Sequence, residues 1–187
     1  MSTYADPSKA YLWLDGDGWR GEAGIDLPAL TSEAIDAVMK AYGGIETGFE
    51  VTADQKVEKK KVWNYRQAPY KVARDPLENG MKFRAVDNTE ATLLTRAQGG
   101  TITKVGENYH MVQGEGEEFS FLTCVRDGDD ESWFWCPRAT LSAPATRAAL
   151  DGQNLDGWEF TLTFLEPMVE IIPALPTGMT VADPATP

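Results

Sequence analysis

His110, Cys124 and Cys136 are the residues of this 187-residue chain best suited to nucleophilic or metal chemistry. A thiol attacks as its thiolate, which needs a neighbouring His or cation and a third group to orient it. No such set is legible. His110 is the single histidine, and it lies in an expected strand beside Met111 and Val112. No nucleophile elbow accompanies a Ser–His–Asp site. No His/Cys cluster has zinc spacing. Neither Gly-x-x-x-x-Gly-Lys-Ser/Thr nor Gly-x-Gly-x-x-Gly after a strand is present to cradle a phosphate. Asp15-Gly16-Asp17-Gly18 begins like a calcium loop, but the third ligand position is Trp19 and the obligatory glycine position is Arg20. With 29 acids, carboxylate pairs arise by chance and do not single out a glycosidase. Trp13, Trp19, Trp63 and Trp133 would make a sugar platform if they clustered on one exposed face, so a monomeric β-sandwich carbohydrate-binding module is the alternative function. The expectation is a non-enzyme with no catalytic residues, no metal and no cofactor.

The totals bound what must position these side chains. Hydrophobic residues make up 42% of the chain, enough for one domain with a sizeable core plus tails. The longest apolar stretch, Leu162 to Leu175, is broken by Glu166, Pro167 and Glu170, so no membrane span is expected. The first residues lack the basic and apolar regions of a secretion signal. Two cysteines make no disulfide framework, and reduced thiols are expected. A centred hairpin would set Cys124 and Cys136 opposite or nearly so, which leaves a cross-strand disulfide geometrically open.

Net charge is −12, which argues against a conventional DNA-binding protein. The charge is unevenly spread. Residues 55–84 hold nine Lys/Arg against three acids, and the rest of the chain holds eight against 26. A basic hairpin on an acidic body suits head-to-tail self-association. The same charges also fit a solvated hairpin without a partner.

Taken in order, residues 1–9 read as an N-terminal arm. Tyr11–Leu14 reads as a short strand ending in a turn at Asp15–Gly18. Thr31 or Ser32 can cap a helix carrying Ile35, Val38, Met39 and Tyr42 on one stripe and stopped by Gly43-Gly44, although an irregular linker also fits. Residues 49–65 form an extended, apolar-poor segment whose unpaired backbone would be an edge hazard unless another copy covered it. Val62 to Gly100 then reads as strand, turn at Asp75–Gly80, strand at Met81–Ala85, and helix at Thr89–Ala97 capped by Asn88 or Thr89. A hairpin follows around Gly106-Glu107-Asn108, then a long aromatic one from Phe119 to Pro137 with an acidic turn at Asp127–Glu131. Residues 144–150 are a short helix or a crossing loop. Trp158, Phe160, Leu162 and Phe164 alternate with polar residues, as in a half-buried strand. From Pro167 the chain turns Pro-rich and reads as an extended C-terminal arm, 167–187.

This layout, with the phrase Phe83-Arg84-Ala85-Val86-Asp87-Asn88-Thr89-Glu90-Ala91-Thr92-Leu93, resembles the major tail tube proteins of long-tailed, non-contractile bacteriophages. The resemblance spans most of residues 10–166. It implies a mainly β (α+β) fold: a β-sandwich or barrel-like tail tube domain with one flanking α-helix, a long protruding hairpin and extended terminal arms. It further implies a structural virion protein, assembled in the host cytoplasm, whose copies form stacked hexameric rings. DNA would pass through an acidic lumen during genome ejection without specific binding. Partners implied are other copies, the tape measure protein, and the tail terminator and distal tail proteins. Lys56, Lys59, Lys60, Lys61 and Trp63 are the candidate inter-subunit contacts.

Overall fold

Alternating aromatic strands build the centre of the molecule. The structure, a computed structural model, describes residues 6–175. In chain order these form a 3-10 turn (Pro7–Lys9), β1 (Asp15–Glu22), α1 (Ser32–Val38), β2 (Met39–Ala41), β3 (Ile45–Asp54), β4 (Val57–Lys60), β5 (Lys71–Arg74) and β6 (Glu78–Ala85). Next come α2 (Glu90–Ala97), β7 (Thr101–Val105), β8 (Asn108–Val112), β9 (Phe119–Asp127), β10 (Asp130–Leu141), β11 (Thr146–Arg147), β12 (Trp158–Phe164) and β13 (Val169–Ile171). The fold is mainly β, with short flanking helices.

One antiparallel sheet of nine strands carries the core, in the order β2-β1-β9-β10-β12-β6-β3, with β11 on β12 and β13 on β10. The sheet is rolled. Three steps along a flat sheet separate strands by about 14 Å, yet Phe121 of β9 stacks on Phe83 of β6 at 5.4 Å. Phe49 of β3 reaches Phe121 as well, at 6.5 Å. The fold therefore takes its barrel-like form, with Phe83, Phe121, Phe160, Leu162 and Phe164 inside. Tyr42 closes one end against Phe83, its ring at 4.9 Å and its hydroxyl 2.8 Å from Thr95 on α2. A second cluster lies on the other face of β9 and β10. There Trp19, Leu122, Cys124, Trp133 and Trp135 are covered by Ile35 of α1 and Met39 of β2.

Several local expectations change. Asp15–Gly18 is not a turn but the first half of β1, paired with Arg126 to Thr123 of β9, and Tyr11–Leu14 is not a strand. The glycines permit this. A Cβ on Gly16 would sit 2.7 Å from the Cys124 carbonyl oxygen, and one on Gly18 would sit 3.1 Å from the Phe49 ring. The predicted helix exists, with Thr31 as its cap, but it ends at Val38. Met39 leaves it to pair with Gly21, because strand pairing there buries Met39 completely. Asn79-Gly80 lies inside β6 rather than in a turn, paired with Ala53 and Thr52. Residues 62–65 form a tight turn instead of a strand. Residues 144–150 supply β11, neither helix nor plain loop. Thr89 is the cap of α2, and Gln98 ends it in the left-handed region at φ 49°.

Of the two terminal arms, residues 1–5 and 176–187 lie outside the described residues. Within 167–175 the chain is not wholly an arm, since Val169–Ile171 pairs with Trp135 to Trp133 of β10.

Candidate assembly surface

The long β3–β6 pair is the scaffold for the predicted contact residues. Phe49 to Asp54 pairs residue by residue with Phe83 to Glu78. Beyond Asp54 and Glu78 the two chains continue outward as a separate two-stranded ribbon, with Val57 to Lys60 facing Arg74 to Lys71. The junction is held by Asp75 N–H donating to the Lys56 carbonyl at 3.0 Å and by the Gln55 amide donating to the Asp75 carbonyl at 3.0 Å. The hairpin expected at 49–65 thus spans 45–85. Its proximal half is part of the sheet, and only its distal half, about 55–77, protrudes.

Lys56, Lys59, Lys60, Lys61 and Trp63 all lie on that distal half, and all are exposed. Trp63 is 83% exposed. Lys60 and Lys56 reach Glu58 at 2.6 and 3.7 Å. Among the described residues Lys59, Lys61, Arg66, Lys71 and Arg74 have no ion pair. Lys60 stands directly across from Lys71, and facing like charges destabilise a strand pair by roughly 0.2–1 kcal/mol. Pairing places Val57 and Lys59 on the same face as Val72 and Arg74. One face of the ribbon therefore carries both apolar groups and cations. An isolated two-stranded ribbon is marginal in water, and this one exposes Val57, Trp63, Tyr70 and Val72 without a core beneath them.

Three further features bear on this surface, and the structure sets their relative placement. The outer edge of β3 has no strand partner among the described residues. It faces β1 across a seam of about 560 Å³ lined by Trp13, Leu14, Ile45, Phe49, Val51 and Val125. A second ribbon, β7–β8, also stands apart from the sheet, with Val105, Tyr109 and Val112 exposed. It is the hairpin expected around Gly106-Glu107-Asn108; its detachment from the sheet is what the structure adds. The third feature is an acidic end. Asp15, Asp17, Asp127, Asp130 and Glu131 gather where β1, β9 and β10 meet. Arg126 answers them, at 2.7 Å from Asp17, 3.1 Å from Glu131 and 3.6 Å from Asp15. The Asp17 hydrogen bond foremost pushes the Arg126 pKa up. Among the described residues no three His, Cys, Asp or Glu side chains are grouped to hold a metal ion.

The residues considered for chemistry are dispersed. His110 is exposed on β8, whereas Cys124 and Cys136 are buried and unpaired in the main sheet. The cysteines lie on opposite faces: Cys124 pairs with Trp133 and joins the second cluster, and Cys136 pairs with Phe121 and joins the barrel interior. That register closes the disulfide the centred hairpin left open. Burial pushes the Cys124 thiol up to about 12, against the pull of Arg126, and burial raises Cys136 too. Trp19 and Trp133 stack inside the second cluster at 5.9 Å, Trp13 stacks on Tyr11 at 5.0 Å by the seam, and Trp63 stands on the ribbon. The four do not make one platform. Among the described residues no helix is long and apolar enough to cross a membrane.

No protein-family model matches the chain, and no curated protein matches it.

Proposed function

We propose that the protein is a self-assembling structural subunit, the building block of a phage tail tube made of stacked hexameric rings. One observation carries the reading. A cationic ribbon with exposed apolar side chains stands off an acidic body, at the end of a hairpin whose outer edge is unpaired. Such a ribbon gains stability when another copy covers it. The ring number, the tape measure, terminator and distal tail partners, and the virion location follow from the resemblance carried by Phe83 to Leu93 and the strand layout. An acidic tube wall also suits this role, because like charges repel the DNA backbone and no basic footprint traps it.

The test is negative-stain imaging and light scattering of purified protein across a concentration series. Rings or tubes are expected. Changing Lys59, Lys60 and Lys61 together to Glu is expected to suppress them at low salt while the circular dichroism spectrum stays that of the wild type. A strict monomer at all concentrations refutes the proposal. Undiminished assembly of the triple variant removes the ribbon's charge from it.

A further inference from the structure

We propose that the groove between α1, β2 and the first turns of α2 is the socket that receives the β4–β5 ribbon of a second copy, an inference that rests on the assembly reading above. The groove measures about 670 Å³. Ile25, Val38 and Leu94 give it an apolar lining, and Glu22, Glu90 and Glu117 give it an acidic rim. Val38 and Leu94 are 50% and 37% exposed.

Charge selects the occupant. The groove lining holds four acids, Glu22, Glu90, Glu117 and Glu118, against two cations, Arg20 and Lys40. Among the described residues Glu22 has no ion pair, while Glu90, Glu117 and Glu118 are answered by Lys40, Arg20 and Arg138. The ribbon has the opposite balance, with seven Lys/Arg against one acid in residues 56–74. Several ribbon cations are likewise unpaired, so contact brings open cations to the open Glu22 and to a rim that is acidic on balance. Chemistry also matches below the rim. Val57, Val72 and Trp63 offer apolar surface to Val38 and Leu94, while the lysine stems cover the groove and their ammonium groups reach its acids. The floor is fixed. Arg20, 6% exposed, lies over Phe119 at 4.7 Å and donates to Glu117 at 2.6 Å, so Glu117 is held in place before any partner arrives.

Topology makes the contact intermolecular. Ile45 pairs with Ala85 at one end of the β3–β6 hairpin, and Asp54 pairs with Glu78 at the other. The socket adjoins the first end: Gly44 N–H donates to Asp87 at 2.8 Å, and Lys40 reaches Glu90 at 3.5 Å. The ribbon leaves from the second end. A strand of this length separates the two by about 30 Å, and the ribbon extends away from the socket. Plug and socket on opposite ends make a heterologous contact, which propagates from copy to copy instead of closing as a two-fold dimer.

The experiment uses the full chain with Trp63→Cys in one preparation and Val38→Cys in another. Both sites are exposed, and the native thiols are buried. Mixed at assembling concentration and oxidised, the two are expected to give a disulfide-linked pair. Trp63→Cys mixed with Tyr109→Cys, an exposed site on β8, is expected to give much less. In parallel, Glu22→Lys with Glu90→Lys is expected to raise the concentration needed for assembly by about tenfold or more at low salt. Mixing that protein with the Lys59→Glu/Lys61→Glu protein is expected to restore co-assembly. If wild type forms tubes but the 63–38 link is no stronger than the 63–109 control, the socket assignment fails while the assembly reading stands. If wild type never associates, both fail.

Discussion

Excising the ribbon separates its role from the stability of the body. Replace residues 55–77 with Asn-Gly, so that Asp54 and Glu78 are joined by a tight two-residue turn suited to the strand twist. From residue 55 to 77 every side chain is exposed except those of Glu58 and Val62, which are half-buried, and none belongs to either core cluster. The removed segment therefore contributes almost no buried apolar area. Shortening a connection from 23 residues to two lowers its closure entropy cost by about 2 kcal/mol on the flexible-loop scaling. The ordered ribbon is stiffer than a flexible loop, so the expected change runs from zero to about 2 kcal/mol of added stability. A Phe83→Ala control, which opens the barrel core, is expected to cost about 3–5 kcal/mol. Urea unfolding followed by tryptophan fluorescence measures both, and imaging of the shortened protein is expected to show no tubes. A loss above about 2 kcal/mol on excision would mean that the ribbon packs on its own body, and the reasoning from exposure would be wrong.

Two other outcomes test the interior. Gly16→Ala places a methyl group 2.7 Å from the Cys124 carbonyl oxygen, and the forced shift of β1 against β9 is expected to cost about 1–3 kcal/mol in urea unfolding. A cost near zero would return Asp15–Gly18 to a solvated turn. Alkaline stability reports on Cys124. The unfolded thiol ionises near pH 9 while the folded one, pushed up to about 12 by burial, stays protonated. The unfolded state then binds fewer protons, so stability falls as pH rises from 9 toward 12, by at most about 1.4 kcal/mol per pH unit for this thiol. Cys124→Ala is expected to flatten that slope in urea titrations between pH 8 and 11, and an unchanged slope would refute the assignment.

Much of the fold was legible because it is set locally. The alternation from Trp158 to Phe164 directs Phe160, Leu162 and Phe164 inward whichever strands lie beside them. Thr89 caps α2 through its own hydroxyl, three residues from the Thr92 N–H it accepts. The run of lysines from Lys59 to Lys61 stays exposed because an unpaired cation is costly to bury. These the sequence determined by itself. What it left open depended on residues distant along the chain. Asp15-Gly16-Asp17-Gly18 has the composition of a turn, and only the Phe49 ring and the Cys124 carbonyl show why a strand there must be made of glycine. The faces of Cys124 and Cys136 were decided by a register set across the whole β9–β10 pair. The groove, too, exists only in three dimensions: Glu22, Val38, Glu90, Leu94 and Glu117 span nearly a hundred positions, and β1, α1, α2 and the chain entering β9 bring them to a common wall.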